Sequence, residues 1–300
     1  MKYFVSWTHS DPVYQRYLPD VRALVSPPNV SQTWCAGDWP CPPAELIIDS
    51  GAFQHHRAGR APSPEEVLQR QLRVARGLGA PAAICHLDVL MIGARSPEEA
   101  TRRATLSLAQ AHWLISYTES NRLDQQLEPI GVIQGHSVEQ VFYVAQALAA
   151  MGYRRFALGS LAAKVAGARG EVLRRVEAAL EAVGPRLHIL GVSSVPVLAS
   201  LARLGVESAD SGAPIKEAIS GGVLYSDPYR RYKLPSPHFR EWSRSYGLAE
   251  ILEAPLPCDC PVCREGAEAM MELRGKAAVN LRAIHNYYHL RRCIHEDRTP

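Results

Sequence analysis

Short apolar runs recur through the first two-thirds of the chain, each followed by a polar stretch with helical periodicity. Tyr3–Trp7, Glu45–Asp49, Ala82–Leu87, Pro129–Gln134, Arg155–Leu158, Leu187–Leu190 and Val206–Ala209 read as strands. Between them lie helix starts of one kind. Ser63-Pro-Glu-Glu66, Ser96-Pro-Glu-Glu99 and Ser137-Val-Glu-Gln140 are capping boxes, two of them with proline at the first helical position. They predict helices to about 78, 117 and 151, with further helices over 171–183 and 196–204. The strands are apolar on both faces, as strands of a parallel sheet covered by helices must be. Strand–helix alternation of this length, without a glycine fingerprint for a dinucleotide, predicts a closed (β/α)8 TIM barrel. The expected division is a barrel over 1–250 and a C-terminal zinc-binding subdomain with its helix over 251–300.

The polar exceptions fall in one place. Asp49, Asp88, Gln134, Gly159, Gly191 and Asp210 each stand at or just after the C-terminal end of a predicted strand. That rim of a parallel barrel is where loops from several strands meet to build a site. One acid after a strand is an ordinary helix cap. Three acids and a glutamine converging on one rim are a candidate site, and paired carboxylates suit substitution at an anomeric carbon. His86 and His136 have no metal-ligand spacing with these acids and are read as core or loop histidines.

Composition changes this picture little. A hydrophobic fraction of 47%, a charged fraction of 21% and a net charge of +3 describe an ordinary globular chain that permits a polyanionic partner. No apolar run reaches the length of a membrane span, and the start, Met-Lys-Tyr-Phe-Val-Ser-Trp, is no secretion signal. Cys35, Cys41, Cys85 and Cys293 are scattered, with no disulfide framework. The expectation is a cytoplasmic protein without membrane contact.

The remaining cysteines are not scattered. Pro257-Cys258-Asp-Cys260-Pro-Val-Cys263 places three thiolates in a proline-punctuated turn, and His285-Asn-Tyr-Tyr-His289 follows on a helix. Three thiolates and one imidazole suit a closed tetrahedral zinc site, which is structural because it leaves no open position. His285 and His289 lie one helical turn apart on the same face, so either satisfies this reading.

These motifs together resemble the tRNA-guanine transglycosylase superfamily, from about Glu45 to Arg292. Asp49-Ser-Gly-Ala-Phe-Gln54 resembles its D-S-G-G-F/Y-Q segment and Gly131-Val-Ile-Gln-Gly135 its G-x-V-Q-G segment. Leu158-Gly-Ser-Leu-Ala162 resembles G-G-L-A, and Leu190-Gly-Val192 resembles M/L-G-V. Gly205-Val-Glu-Ser-Ala-Asp210, with Pro214 and Gly221, resembles the nucleophile segment. The family's spacing from last cysteine to histidine selects His289, beside Cys258, Cys260 and Cys263. The resemblance implies that Asp210 attacks C1′ of a guanosine in a nucleic acid and that Asp49 is the general acid/base. It further implies that Asp88, Gln134, Gly159 and Ser160 read the purine edge while Phe53 and Leu190 sandwich its ring. The incoming base would be a 7-deazaguanine, the target nucleotide would be flipped out of its stack, and a homodimer would be the working form.

Departures from the family pattern shape the substrate expectation. Pro214-Ile215-Lys216 stands where P-T-R is the pattern, and Arg and Lys differ wherever a fork of donors is used. Ser160 replaces a glycine. The acid expected shortly afterwards is absent, with Lys164-Val165 in that region, which favours a neutral cyano-bearing base of the preQ0 kind. On these grounds DNA is placed ahead of tRNA as the polynucleotide, with an ordinary tRNA enzyme or a non-catalytic partner subunit as the alternatives. Tyr229-Arg-Arg-Tyr-Lys233 through Phe239–Arg244 is a basic, aromatic stretch suited to phosphates and unstacked bases.

Overall fold

The computed structural model describes residues 1–30, 42–78, 82–123, 127–161, 169–235 and 250–295. Cys35, Cys41, Lys164-Val165 and the Phe239–Arg244 stretch lie outside the described residues. The chain divides into two compact units, residues 1–9 with 22–211, and residues 10–21 with 212–300.

The first unit is a closed parallel barrel in chain order: β1 (Lys2–Trp7), β2 (Arg22–Val25), β3 (Glu45–Ile48), β4 (Ala82–Cys85), β5 (Leu127–Ile133), β6 (Arg155–Leu158), β7 (Leu187–Ile189) and β8 (Ser208–Ser211). β8 closes the ring by pairing with β1, Asp210 opposite Phe4. The predicted (β/α)8 barrel is thus the observed one, and β2 is the strand the apolar pattern does not announce. Helices α1 (Ala52–Arg57), α2 (Pro64–Leu78), α3 (Pro97–Ser120), α4 (Val138–Ala150), α5 (Arg169–Val183) and α6 (Val195–Arg203) connect the later strands. The capping boxes act as their sequence requires. Ser63, Ser96 and Ser137 each accept, through Oγ, the amide of the residue three positions on, at 3.1, 3.2 and 3.2 Å.

Side chains alternate across a strand, so one residue in two faces the barrel axis. Phe4, Leu24, Ile47, Ala83, Cys85, Ile130, Val132 and Ala157 form that interior as one buried cluster, with Leu190 packed against it. Continuing the alternation one step further toward the C-terminal end gives Ser6, Ser26, Asp49, Gln134 and Gly159. The apolar core therefore hands over directly to the polar rim.

The second unit opens with α7 (Ala213–Ile219) and carries a three-stranded sheet ordered β11 (Glu250–Ile251), β10 (Tyr229–Lys233), β9 (Gly222–Ser226). Helices α8 (Pro261–Gly266) and α9 (Lys276–His295) complete it. Arg282 of α9 is fully buried and donates to the carbonyls of Ala218, Met270, Glu272 and Leu273. Asn286 accepts from the Leu224 amide and donates to the Pro214 and Gly222 carbonyls. Buried backbone groups that no ladder reaches are satisfied by these two side chains. Among the described residues no helix is long and apolar enough to cross a membrane.

Candidate active site and metal centre

Asp210, on β8, is buried and held by three donors. Ser6 Oγ donates to Oδ2 at 2.5 Å, the Gly191 amide donates to Oδ1 at 2.9 Å, and His188 Nε2 lies 3.2 Å from Oδ1. The donors come from β1, β7 and the turn after β7, so the carboxylate's orientation is set by the barrel wall on both sides. Asp49 follows β3 and is half-buried. Ser26 Oγ donates to its Oδ2 at 2.9 Å and the Ser50 amide to its Oδ1 at 2.7 Å. Burial pushes the Asp49 carboxyl above the usual carboxylate range; the Ser26 and Ser50 donors pull against this, and the charge of Asp210 adds to it.

Asp88 is buried beyond the end of β4. Ser50 Oγ donates to Oδ1 at 2.9 Å and Gln134 Nε2 to Oδ2 at 2.6 Å. Burial first, then the charge of Asp49, raises its pKa to about 7 against the pull of those two donors. Gln134 is fully buried, and its Oε1 has no hydrogen-bond partner. Asp88 and Gln134 together therefore present acceptors able to meet N–H groups of a ligand.

Gly159 touches this pair by having no side chain. A Cβ there would sit 2.5 Å from Gln134 Nε2. Its amide, expected to read a base, is already donated to the Ile133 carbonyl at 3.1 Å. Ser160 takes a left-handed conformation, φ +58°, and its Oγ accepts the Met91 amide at 3.2 Å, tying the loop after β6 to the loop after β4. Leu190 is half-buried over the barrel core. Phe53, 47% exposed on α1, has Arg57 Cζ 5.9 Å from its ring centroid.

Several contributors were not singled out from sequence. Ser6, Ser26 and Ser50 supply hydroxyl donors to three different acids. Gln71 of α2, buried, donates through Nε2 to the carbonyls of Ile48, Asp49 and Cys85 at 3.3, 3.1 and 2.7 Å, pinning the ends of β3 and β4. His188 was passed over inside an apolar strand. His86, by contrast, is structural as read. It is buried, accepts the Val132 amide at Nδ1, and burial lowers its pKa to about 3.

In the second unit, ligand atoms of Cys258, Cys260, Cys263 and His285 all lie within 4.8 Å of one another. The histidine in this cluster is His285, where the family spacing had pointed to His289. Hydrogen bonding gives the reason. His285 Nε2 lies 2.8 Å from the Leu224 carbonyl, which can only accept, so the proton sits on Nε2 and the Nδ1 lone pair faces the thiols. Burial also holds the His285 imidazole below its usual pKa. Its Nδ1 stands 3.4 and 3.5 Å from Cys260 and Cys263 Sγ. Tetrahedral zinc bonds of about 2.3 Å to sulfur and about 2.0 Å to nitrogen imply roughly 3.5 Å between S and N. His289 is placed the other way round. Its Nδ1 accepts the Ser226 amide at 3.0 Å, leaving the proton on Nε2, 3.1 Å from Cys258 Sγ. It is a donor to a thiolate, not a source of a lone pair.

The basic strand β10 shares one carboxylate of its own unit between two of its cations. Arg231 and Lys233 both pair with Glu217, at 3.0 and 3.5 Å, which leaves the exposed Arg230 as the strand's cation without such a pairing among the described residues.

Residues 45–299 match the family model described as TGT, queuine tRNA-ribosyltransferase. The chain is also similar to the tRNA-guanine(15) transglycosylase of Pyrobaculum aerophilum, 26% identical over 256 residues, covering 83% of this chain and 46% of that protein. It thus spans about half the length of that relative.

Proposed function

Because the chain belongs to the queuine tRNA-ribosyltransferase family, we propose that it exchanges a guanine in a polynucleotide for a 7-deazaguanine base. The observation that carries this is two carboxyls on one barrel rim in unequal settings: Asp210 fixed by three donors, Asp49 raised by burial. In this reading Asp210 attacks C1′ of the flipped nucleotide and displaces guanine, leaving a glycosyl ester. Asp49, whose carboxyl burial shifts toward its protonated form, protonates the departing guanine and afterwards deprotonates the incoming base. Two displacements retain configuration. Asp88 and Gln134 take the donor edge of the purine, and Gly159 leaves room for Gln134 to do so. Phe53 and Leu190 supply apolar faces.

We take tRNA as the first polynucleotide, after the substrate named for the relative. Duplex DNA is the second reading, favoured by Pro214-Ile215-Lys216 where the family pattern has P-T-R. In the second unit, Cys258, Cys260, Cys263 and His285 would hold a structural zinc, whose contribution is a four-way cross-link between the turn and α9.

The test offers labelled guanine or a cyano-deazaguanine to tRNA and to duplex DNA in parallel, with Asp210→Ala as the blank. Label in tRNA alone supports the first reading, and label in DNA alone the second. Incorporation into neither overturns the enzymatic reading in favour of a non-catalytic partner.

A further inference from the structure

His188 is a histidine inside an apolar strand, 1% exposed, directly beneath the acid read as nucleophile. Its ring stands edge-on to Phe4, centroids 5.4 Å apart at 88°, which fixes its plane. Each ring nitrogen has a polar neighbour on β8, Nδ1 at 2.8 Å from Ser208 Oγ and Nε2 at 3.2 Å from Asp210 Oδ1. Ser208 and Asp210 are two apart on one strand and so share a face, and a single imidazole on β7 spans both. An ionised carboxylate can only accept, which places the proton on Nε2 and makes Ser208 the partner that holds the tautomer.

The two Asp210 oxygens are thereby unlike. Oδ1 takes two donors that cannot turn away, a backbone amide and a packed imidazole. Oδ2 takes one, the Ser6 hydroxyl, which rotates freely about its C–O bond. We propose that Ser208 and His188 act as a positioning relay that retains Oδ1 and leaves Oδ2 as the atom that attacks the sugar. This rests on the reading of Asp210 as nucleophile. In the step, an Oδ2 electron pair forms the bond to C1′ and the glycosidic bond breaks. Its pair leaves with the guanine nitrogen, which takes a proton from Asp49. Oδ1 becomes the ester carbonyl oxygen, still accepting from Gly191 and His188, while Ser6 releases Oδ2. Donors already aimed at an atom throughout a reaction need no reorganisation in the transition state.

The experiment compares wild type, His188→Phe, His188→Gln and Ser208→Ala in steady-state base exchange. It adds long-range proton–nitrogen spectra of protein labelled at its histidines. Losing one charge-assisted donor at the nucleophile lowers kcat about ten- to hundredfold in His188→Phe, with KM for the polynucleotide within about twofold. His188→Gln restores a donor near the Nε2 position and recovers most of kcat; Ser208→Ala lies between. The spectra show the His188 proton on Nε2. A kcat unchanged in His188→Phe, an effect on KM alone, a glutamine variant no better than phenylalanine, or a proton on Nδ1 only overturns the relay. Absence of exchange by wild type itself sinks the transglycosylase reading and the relay's role in attack, and is told apart from failure of the relay by that control. Should His188→Phe not fold, Ser208→Ala and the spectra still decide.

Discussion

Replacing Asp88 by asparagine should make the protein more stable at pH 8 while weakening the base binding proposed for it. The Asp88 carboxyl is raised from 3.8 to about 7, chiefly by burial. A folded-state pKa above the unfolded one means the unfolded chain releases this proton first. Stability is therefore intact below about pH 4, falls as pH rises toward 7, and stays lowered above it. At about 1.4 kcal/mol per pH unit, the loss is up to about 4 kcal/mol. Asparagine keeps the shape and has no charge to bury. Its amide group would face one of the two present donors, and the structure can adapt, because the Ser50 hydroxyl turns and Gln134 has an unpartnered Oε1 free to exchange places with Nε2. Urea titrations followed by circular dichroism at pH 4.5 and pH 8 measure the difference between variant and wild type. Contributions of all other acids largely cancel in that difference. The variant should gain about 2 to 4 kcal/mol relative to wild type between the two pH values. Stabilities that fall in parallel would refute the argument that burial sets this carboxyl. Guanine binding should weaken in the same variant, since an acceptor has been replaced by a donor, so stability and affinity move in opposite directions.

Five other substitutions test separate parts of the structure. Cys260→Ser and His285→Ala should lower bound zinc, measured by metal analysis, and lower the melting temperature, whereas His289→Ala should keep the metal; zinc lost equally from both histidine variants would contradict the tautomer assignment. Gly159→Ala brings a methyl to within 2.5 Å of Gln134 Nε2 and should break its bond to Asp88, weakening guanine binding at least about tenfold by calorimetry. Unchanged affinity would mean that Gln134 is not held where it reads a base. Gln71→Leu leaves the Ile48, Asp49 and Cys85 carbonyls without this donor and should cost about 1–3 kcal/mol of stability in denaturant titrations.

The barrel was legible because its signals are local. Ser63, Ser96 and Ser137 cap helices through bonds three residues long, and the apolar strands carry their own punctuation. β2 was not, since Arg22-Ala-Leu-Val25 is four residues beside a proline-rich connection and gains its identity only by pairing with β1 and β3. The acids of the rim could be read from their positions after strands. Their supports could not. Ser6 and Ser26 meet Asp210 and Asp49 across 204 and 23 residues of chain, and a serine near the end of an apolar strand carries no mark of its partner. The metal histidine shows the limit of spacing as evidence. His285 and His289 both reach the thiols, and what separates them is a backbone carbonyl at one and a backbone amide at the other.

One consequence follows from where the barrel closes. Asp210 lies on the last strand, and the strand it pairs with is the first, which also brings Ser6 to its carboxylate. The surroundings of Asp210 thus depend on the contact most distant in sequence within this unit, of the kind formed late because the longest loop must close. A chain emerging from the ribosome can assemble Asp49, Asp88 and Gln134 before its two ends meet, yet it holds no oriented Asp210. Orientation of this carboxylate is gated by completion of the ring, so an unfinished or misclosed chain leaves Asp210 without its Ser6 donor.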